Sequence, residues 1–507
     1  MESSLLDIQI DRNSSLPLYV QIRNQVRDII LHGNLAEGQL LPAERQLAVK
    51  LGVNRTTIVN AYRELTADGL VEGQVGRGTV VSWTGRREAQ SYTARSMDWN
   101  QQFARQTPWV HAALVQEAAE LAGEPGVISF VGGIPSPDLY PIDAFGHACR
   151  DFLLNNAPQS LANCPAEGFY PLRQWLASWS NSQGINAAPE NILITSGATQ
   201  GLDLISRTLL EPDDEVVVET PSSLAALQCF HAARARLVGV PLDHDGMRLD
   251  LADDVLSRHR PKFVYVLPTF QNPTGQTWSL ARREDFLRLA GQYGMAVVED
   301  DPYSPLSFEG TPPVPLKALD RGDRVIYVST FSKLLFPGLR LGWIVAPRPV
   351  IDRLTLVKRN SDLFTNTLIQ GSLWGLLCRL DWPVYLERLR TAYKERRDIM
   401  IESLRRYGPV GLRWQLPSGG FYVWVNLPNN LPAQRLLAEA REFGVAFLPG
   451  ELFCVDGSGR SAVRLNFSYA AVKDIEIGIE RLCGAISRLL AKRHEWAASP
   501  PTARPIV

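Results

Sequence analysis

Over residues 17–33 the apolar positions Leu18, Ile22, Val26, Ile29 and Ile30 recur at the three- and four-residue spacing of a helix face, and Gly33 supplies a stop. A second, short helix is expected over residues 41–51, with Pro42 placed to open it, and Gly52-Val53 then turns the chain. Asn54 is a capping residue for a third helix whose inner face is Ile58, Tyr62 and Leu65 and which Gly69 closes. Two β-rich runs, Leu70-Val71-Glu72 and Thr79-Val80-Val81, flank the glycine-rich stretch 73–78. A winged helix-turn-helix is therefore expected over residues 1–82.

From 83 to 108 periodicity lapses among polar residues, and a flexible tether is expected there. Over 109–490 strand-like and helix-like runs alternate, the pattern of an α/β fold. Ile192-Leu193-Ile194-Thr195 reads as a short apolar strand leading into a small-residue turn, Ser196-Gly197-Ala198, with a helix over 202–210. Glu215-Val216-Val217-Val218-Glu219, Phe263-Val264-Tyr265-Val266-Leu267, Ala296-Val297-Val298-Glu299 and Val325-Ile326-Tyr327-Val328 read as further strands. Residues 491–507, rich in proline near their end, are expected to be disordered.

Composition narrows the class. The 507 residues are 45% hydrophobic and 21% charged, with a net charge of −1. That length implies two to four domains. With no apolar run of 18 residues and a polar, acidic start, a cytoplasmic protein without a membrane span is expected. The six cysteines show no C-x-x-C spacing, which argues against zinc and against a disulfide framework. Over residues 17–82 seven Arg and Lys face six Asp and Glu, so charge does not by itself mark a nucleic-acid surface. Pattern carries that expectation: the third helix would enter the major groove with Asn54, Arg55, Thr56 and Thr57 in its first turn, while Arg45 and Arg77 contact the backbone.

The candidate chemistry centres on Ser329-Thr330-Phe331-Ser332-Lys333, followed after a Pro-Gly break by Arg340. A lysine held on a turn among hydroxyls, with a fixed arginine nearby, offers an amine to an aldehyde and a grip for a phosphate. Pyridoxal phosphate requires that pairing. Ser196-Gly197-Ala198 at a helix start is a second phosphate seat, although such turns are common. Asn272 before Pro273 is held extended, so its amide can point at a ligand; the same motif also makes an ordinary turn. Asp300 or Asp301, at the end of a strand, could face a pyridine nitrogen with Tyr303 nearby, or simply cap the helix that follows.

The first 82 residues resemble the winged helix of GntR-type bacterial repressors in Pro17-Leu18-Tyr19-x-Gln21-Ile22, Leu41-Pro42-x-Glu44-Arg45-x-Leu47-Ala48, Val53-Asn54-Arg55-Thr56-Thr57 and Gly76-x-Gly78-Thr79. The later signals, with Pro417-Ser418-Gly419-Gly420-Phe421, Leu448-Pro449-Gly450 and Val463-Arg464-Leu465, resemble the fold-type I aminotransferases. The whole chain is thus similar to the MocR/GabR regulators. That resemblance implies an α/β module with a large domain at about 146–355 and a small domain at about 356–490. It also implies a pyridoxal phosphate carried as a Schiff base on Lys333, and an effector that is an amino compound or the cofactor itself. Ser196, Gly197, Ala198, Asn272, Asp300, Tyr303, Thr330, Ser332 and Arg340 would hold the cofactor, and Arg464 would hold a carboxylate. A homodimer on double-stranded operator DNA is the implied assembly.

Two departures from that pattern stand out. Ser222-Ser223 occupies the place where an aromatic usually stacks on the cofactor ring, and Asn163 the place of a tyrosine that reaches the neighbouring subunit. Lost stacking is expected to weaken ring binding by about 1 kcal/mol or more. A transcriptional regulator that retains its cofactor but transaminates poorly is therefore expected. A working aminotransferase with a DNA-binding appendage, and a cofactor-free ligand sensor, are the alternatives.

Overall fold

The computed structural model describes residues 6–12, 14, 16–74, 76–83, 97–99, 102, 112–155, 158–311 and 313–498. The chain divides into two compact units, Met1–Phe103 and Ala104–Val507. Most of the tether expected at 83–108, and residues 499–507 of the expected tail, lie outside the described residues.

In the first unit α1 (Leu18–Leu31) buries Ile22, Val26 and Ile30. The second helix, α2 (Glu44–Leu51), starts later than expected, with Ala43 at its N-cap. Pro42 stands outside it, and its carbonyl accepts a hydrogen bond from Tyr62 Oη at 2.9 Å. Gly52 ends α2 in the left-handed region (φ 60°), where a side chain is strained. The third helix, α3 (Arg55–Ala67), begins at Asn54, whose Oδ1 accepts from Thr56 N at 3.0 Å. The wing follows as the antiparallel pair β1 (Val71–Gln74) and β2 (Gly78–Val81), with Val71 opposite Val81. Leu47, Ile58, Leu65 and Val71 close the core with the α1 face. Each such side chain contributes about 1.5–3 kcal/mol by leaving water.

The second unit is built on an eight-stranded sheet. After β3 (Ile128–Ser129) come β4 (Ile192–Thr195), β5 (Glu215–Thr220), β6 (Arg236–Asp243) and β7 (Gly246–Met247). The remaining strands of the sheet are β8 (Phe263–Val266), β9 (Ala296–Asp300), β10 (Val325–Thr330) and β11 (Gly342–Val345). The order is β4-β11-β10-β9-β8-β5-β6-β7. Strands β10, β9, β8, β5 and β6 are parallel, and β11 runs antiparallel to both β10 and β4. Hence β4, β5, β8, β9 and β10 all end along one edge of the sheet. Their unbroken apolar runs reflect burial on both faces.

The helix after β4 spans Ala198–Leu209, four residues earlier than the expected start at 202, because Gly197 at φ 91° turns the chain directly out of the strand. The smaller lobe carries β12 (Arg413–Trp414), β13 (Tyr422–Asn426), β14 (Val445–Ala446), β15 (Leu448–Pro449) and β16 (Ala462–Asn466). Four of these form the sheet β12-β13-β16-β15, and β14 pairs with β3. The helix Val472–Ala498 runs past residue 490, so the stretch 491–498, expected to be disordered, is helical. Among the described residues no helix is long and apolar enough to cross a membrane.

Candidate ligand site at the ends of the parallel strands

Loops from β4, β5, β8, β9 and β10 converge on a cavity of about 130 Å³. This is the edge where open α/β sheets bind ligands. Lys333 closes the turn Phe331–Lys333 directly after β10. Thr330 builds that turn: its Oγ1 accepts from Ser332 N at 3.1 Å and lies 2.9 Å from Leu341 O. Both Thr330 and Ser332 line the cavity with Lys333. The amine donates to Gly133 O at 2.6 Å.

The structure separates the two acids at the end of β9. Asp301 turns away, accepting from Ser304 N at 3.1 Å and Tyr327 Oη at 3.2 Å, and so caps a short turn. Asp300 lines the cavity; its Oδ2 accepts from Tyr265 Oη at 2.7 Å, while Oδ1 is buried without a partner among the described residues. Burial lifts its carboxyl from 3.8 to about 6; Asp301 adds to the rise, and the Tyr265 bond and Lys333 pull against it. A buried carboxylate with one unsatisfied oxygen is a strong acceptor awaiting a donor.

At the other end, the first N–H groups of the helix Ala198–Leu209 have no carbonyl partner within it and carry the positive end of its dipole. Arg340 lies against this turn: a Cβ on Gly197 would stand 2.6 Å from Arg340 Nη2. The Arg340 contacts to Ser332 Oγ and Pro337 O are both long, at 3.4 Å, which leaves its donors for an anion. Ala198 and Thr199 line the wall, but Ser196 does not. Its N–H donates to Gln200 Oε1 at 2.7 Å and its hydroxyl points to Asp362 at 3.4 Å.

Arg464 comes from β16 and is buried. Its Nη1 donates to Asn272 Oδ1 at 3.1 Å and its Nη2 to Val131 O at 2.5 Å, while Nε has no partner among the described residues. The guanidinium lies 4.3 Å from the Tyr422 ring centroid and 5.0 Å from that of Phe453. Tyr303, in the cavity wall, donates to Tyr422 Oη at 3.0 Å. Burial pushes the Tyr422 phenol up, yet Arg464, Lys333 and the Tyr303 bond outweigh it and leave the phenol below its ordinary value.

Sequence reading missed Tyr265, Tyr422 and Thr199. Tyr265 sits inside an apolar strand, where nothing separates it from core; only the β8–β9 pairing brings it to Asp300. The expected departure at Ser222-Ser223 takes a definite form: Ser223 begins the helix Leu224–Ala232 at the cavity wall. Tyr303 is the aromatic residue among the described lining residues. Asn163 is exposed.

In the first unit Arg45, Arg55 and Arg77 border one hollow of about 540 Å³. Arg55 is paired with Glu44, Nη2 to Oε2 at 2.9 Å, but stays more than half exposed. The Asn54 side-chain Oδ1 caps the helix as expected and also accepts from the Thr56 hydroxyl at 3.2 Å, and both residues are exposed. Thr57 is half-buried. Among the described residues no group of three or more His, Cys, Asp or Glu is arranged to hold a metal.

With this geometry in place, the chain matches two families: bacterial regulatory proteins of the gntR family over residues 18–81, and aminotransferase class I and II over residues 138–486. It belongs to the aminotransferase class I and II family and carries a gntR-family head, the organisation of MocR-type regulators. It is 36% identical to the uncharacterised HTH-type transcriptional regulator YisV of Bacillus subtilis, over 95% of this chain and 98% of that one. It is 37% identical to aromatic-amino-acid aminotransferase 1 of Thermococcus litoralis, over 80% of this chain and 99% of that one. Among solved structures it is similar to LysN, the α-aminoadipate aminotransferase of Thermus thermophilus complexed with N-(5'-phosphopyridoxyl)-L-leucine. That match has a TM-score of 0.72 and 36% identity, and covers 78% of this chain and 100% of that one.

Proposed function

We propose that this protein is a DNA-binding transcriptional regulator whose aminotransferase-class unit holds pyridoxal phosphate and senses an amino compound or the cofactor itself. The observation that carries this reading is the cavity, in which Lys333 and Arg340 of the β10–β11 loop meet Asp300 from the end of β9, in a chain that also bears a gntR head. The fit to the cofactor rests on two features: the unpartnered Asp300 Oδ1 and the Gly197 turn that only a residue without Cβ leaves open to Arg340. When bound, pyridoxal phosphate supplies an aldehyde that condenses with an amine and a ring that accepts electron density.

The chain's own groups take complementary roles. Lys333 supplies the amine, and Asp300 holds a proton at the ring nitrogen, its charge stabilised there by the new partner. Arg340, Ser332 and the N–H groups of Ala198 and Thr199 bind the phosphate. The amide of Asn272 and the phenol of Tyr303 orient the ring edge. Arg464 pairs with the carboxylate of an amino-acid effector, since its planar fork matches both oxygens. Arg45, Arg55, Thr57 and Arg77 contact operator DNA, with Asn54 and Thr56 shaping the helix start, and the protein acts as a homodimer in the bacterial cytoplasm.

A working aminotransferase is the second reading, favoured by the presence of all these groups together and by the 37% identity to an aminotransferase. Sustained conversion of an amino acid and a keto acid at 1 s⁻¹ or more, roughly the low end for enzymes, would support it. The primary test is absorbance: the purified protein with added pyridoxal phosphate should gain a visible band that Lys333→Ala lacks. A wild-type protein without that band would refute the cofactor reading.

A further inference from the structure

Behind the anion end of the cavity lies an ion pair between a buried lysine and a half-buried aspartate that the roles above leave unused. The side chain of Lys358, in the helix Arg348–Arg359, is fully buried, and its Nζ stands 2.6 and 2.7 Å from the two oxygens of Asp362. Asp362 Oδ2 also accepts from Gln200 Nε2 at 2.8 Å and from Ser196 Oγ at 3.4 Å. Gln200 Oε1 in turn accepts from Ser196 N at 2.7 Å. Ser196 and Gln200 flank the Gly197 turn, so these side chains form a continuous strut from the buried lysine to the first turn of the helix Ala198–Leu209. Leu363, next to Asp362, is held at φ 63°, a conformation that a branched side chain keeps only where its surroundings impose it.

The charges also fit such a role. A carboxylate behind an anion seat repels the anion unless it is neutralised, and Lys358 neutralises this one with both of its short contacts. We propose that Asp362, oriented by Lys358, is a positioning residue for the cofactor phosphate. It fixes Gln200 and Ser196, and through them aims the backbone N–H groups of Ala198 and Thr199 into the cavity. This inference rests on the cofactor reading given above.

The test compares two ligands on the full-length protein: pyridoxal phosphate, and pyridoxal, which has the same aldehyde and ring but no phosphate. Gln200→Leu breaks the strut without stranding a charge. Its affinity for pyridoxal phosphate should fall about tenfold or more, roughly the effect of a lost hydrogen bond beside an ionised group, while its affinity for pyridoxal stays at the wild-type value. Asp362→Asn alone leaves the Lys358 charge buried and endangers folding. The double variant Lys358→Met, Asp362→Asn therefore serves as the second probe and should show the same selective loss. Equal losses for both ligands would mean a merely structural role and overturn the proposal, as would no change in either. A wild-type protein that binds neither ligand would remove the cofactor reading itself, and the strut with it.

Discussion

Asp300 is ionised at a cost that depends on what faces it. Burial raises its carboxyl from 3.8 to about 6, so in the cofactor-free fold it binds its proton more tightly than in the unfolded chain. Its contribution to stability is therefore complete below about pH 4 and is lost as pH rises through 6. Asp300→Asn removes that dependence. In differential scanning calorimetry the cofactor-free variant should melt a few degrees above wild type at pH 8, on the order of 2–4 °C, and match it near pH 4. Glu219 and Glu299, raised by burial to about 7, keep a similar residual slope in both proteins. Cofactor affinity should move the other way and fall at least tenfold, because the amide cannot stabilise a protonated ring nitrogen as a carboxylate does. A variant that melts lower at pH 8 would show that Asp300 is satisfied by something other than a ligand.

Among the elements, α3 carries the DNA-reading expectation and divides it between two kinds of residue. Arg55 is exposed and held by Glu44, so Arg55→Ala should leave melting near the wild-type value while weakening binding to operator DNA. Asn54→Ala removes the cap on Thr56 N and should cost about 1 kcal/mol of stability in the first unit. If Arg55→Ala binds such DNA as wild type does at the same salt concentration, α3 is not the reading helix. The faces of α1 and α3 were legible because Ile22, Val26, Ile58 and Leu65 repeat at helical spacing. The strands under the cavity were legible because burial on both faces demands unbroken apolar runs. The tertiary partner of Pro42, the Tyr62 hydroxyl, is remote in sequence and leaves no local pattern. The role of Ser196 was hidden for the same reason, since Asp362 lies 166 residues away. The resemblance singled out Asp300, but the physical difference between Asp300 and Asp301 lies in side-chain partners that only the folded loop supplies. Propensity and periodicity report the near neighbours of a residue, whereas the site is assembled from distant ones.

At the scale of the whole molecule, regulation requires the ligand cavity and the DNA-reading head to share a free energy. A ligand that binds two arrangements of the protein equally well shifts nothing, however tightly it binds. Coupling is also reciprocal: if loading with pyridoxal phosphate changes DNA affinity by some factor, bound DNA must change the affinity for pyridoxal phosphate by the same factor. For regulators this factor is typically 5–150-fold, about 1–3 kcal/mol. The full-length protein should therefore give two dissociation constants for its own upstream DNA, one loaded and one cofactor-free, and their ratio should reappear when the cofactor is titrated with and without that DNA. Lys333→Ala should keep the cofactor-free value under both conditions, because its cavity lacks the amine that fixes the ligand. Identical DNA affinities in the loaded and cofactor-free wild type would mean that the cofactor alone does not drive the switch. The factor must then come from an amino compound whose carboxylate reaches Arg464, and the same pair of titrations repeated across amino acids would identify it by the one ratio that departs from unity.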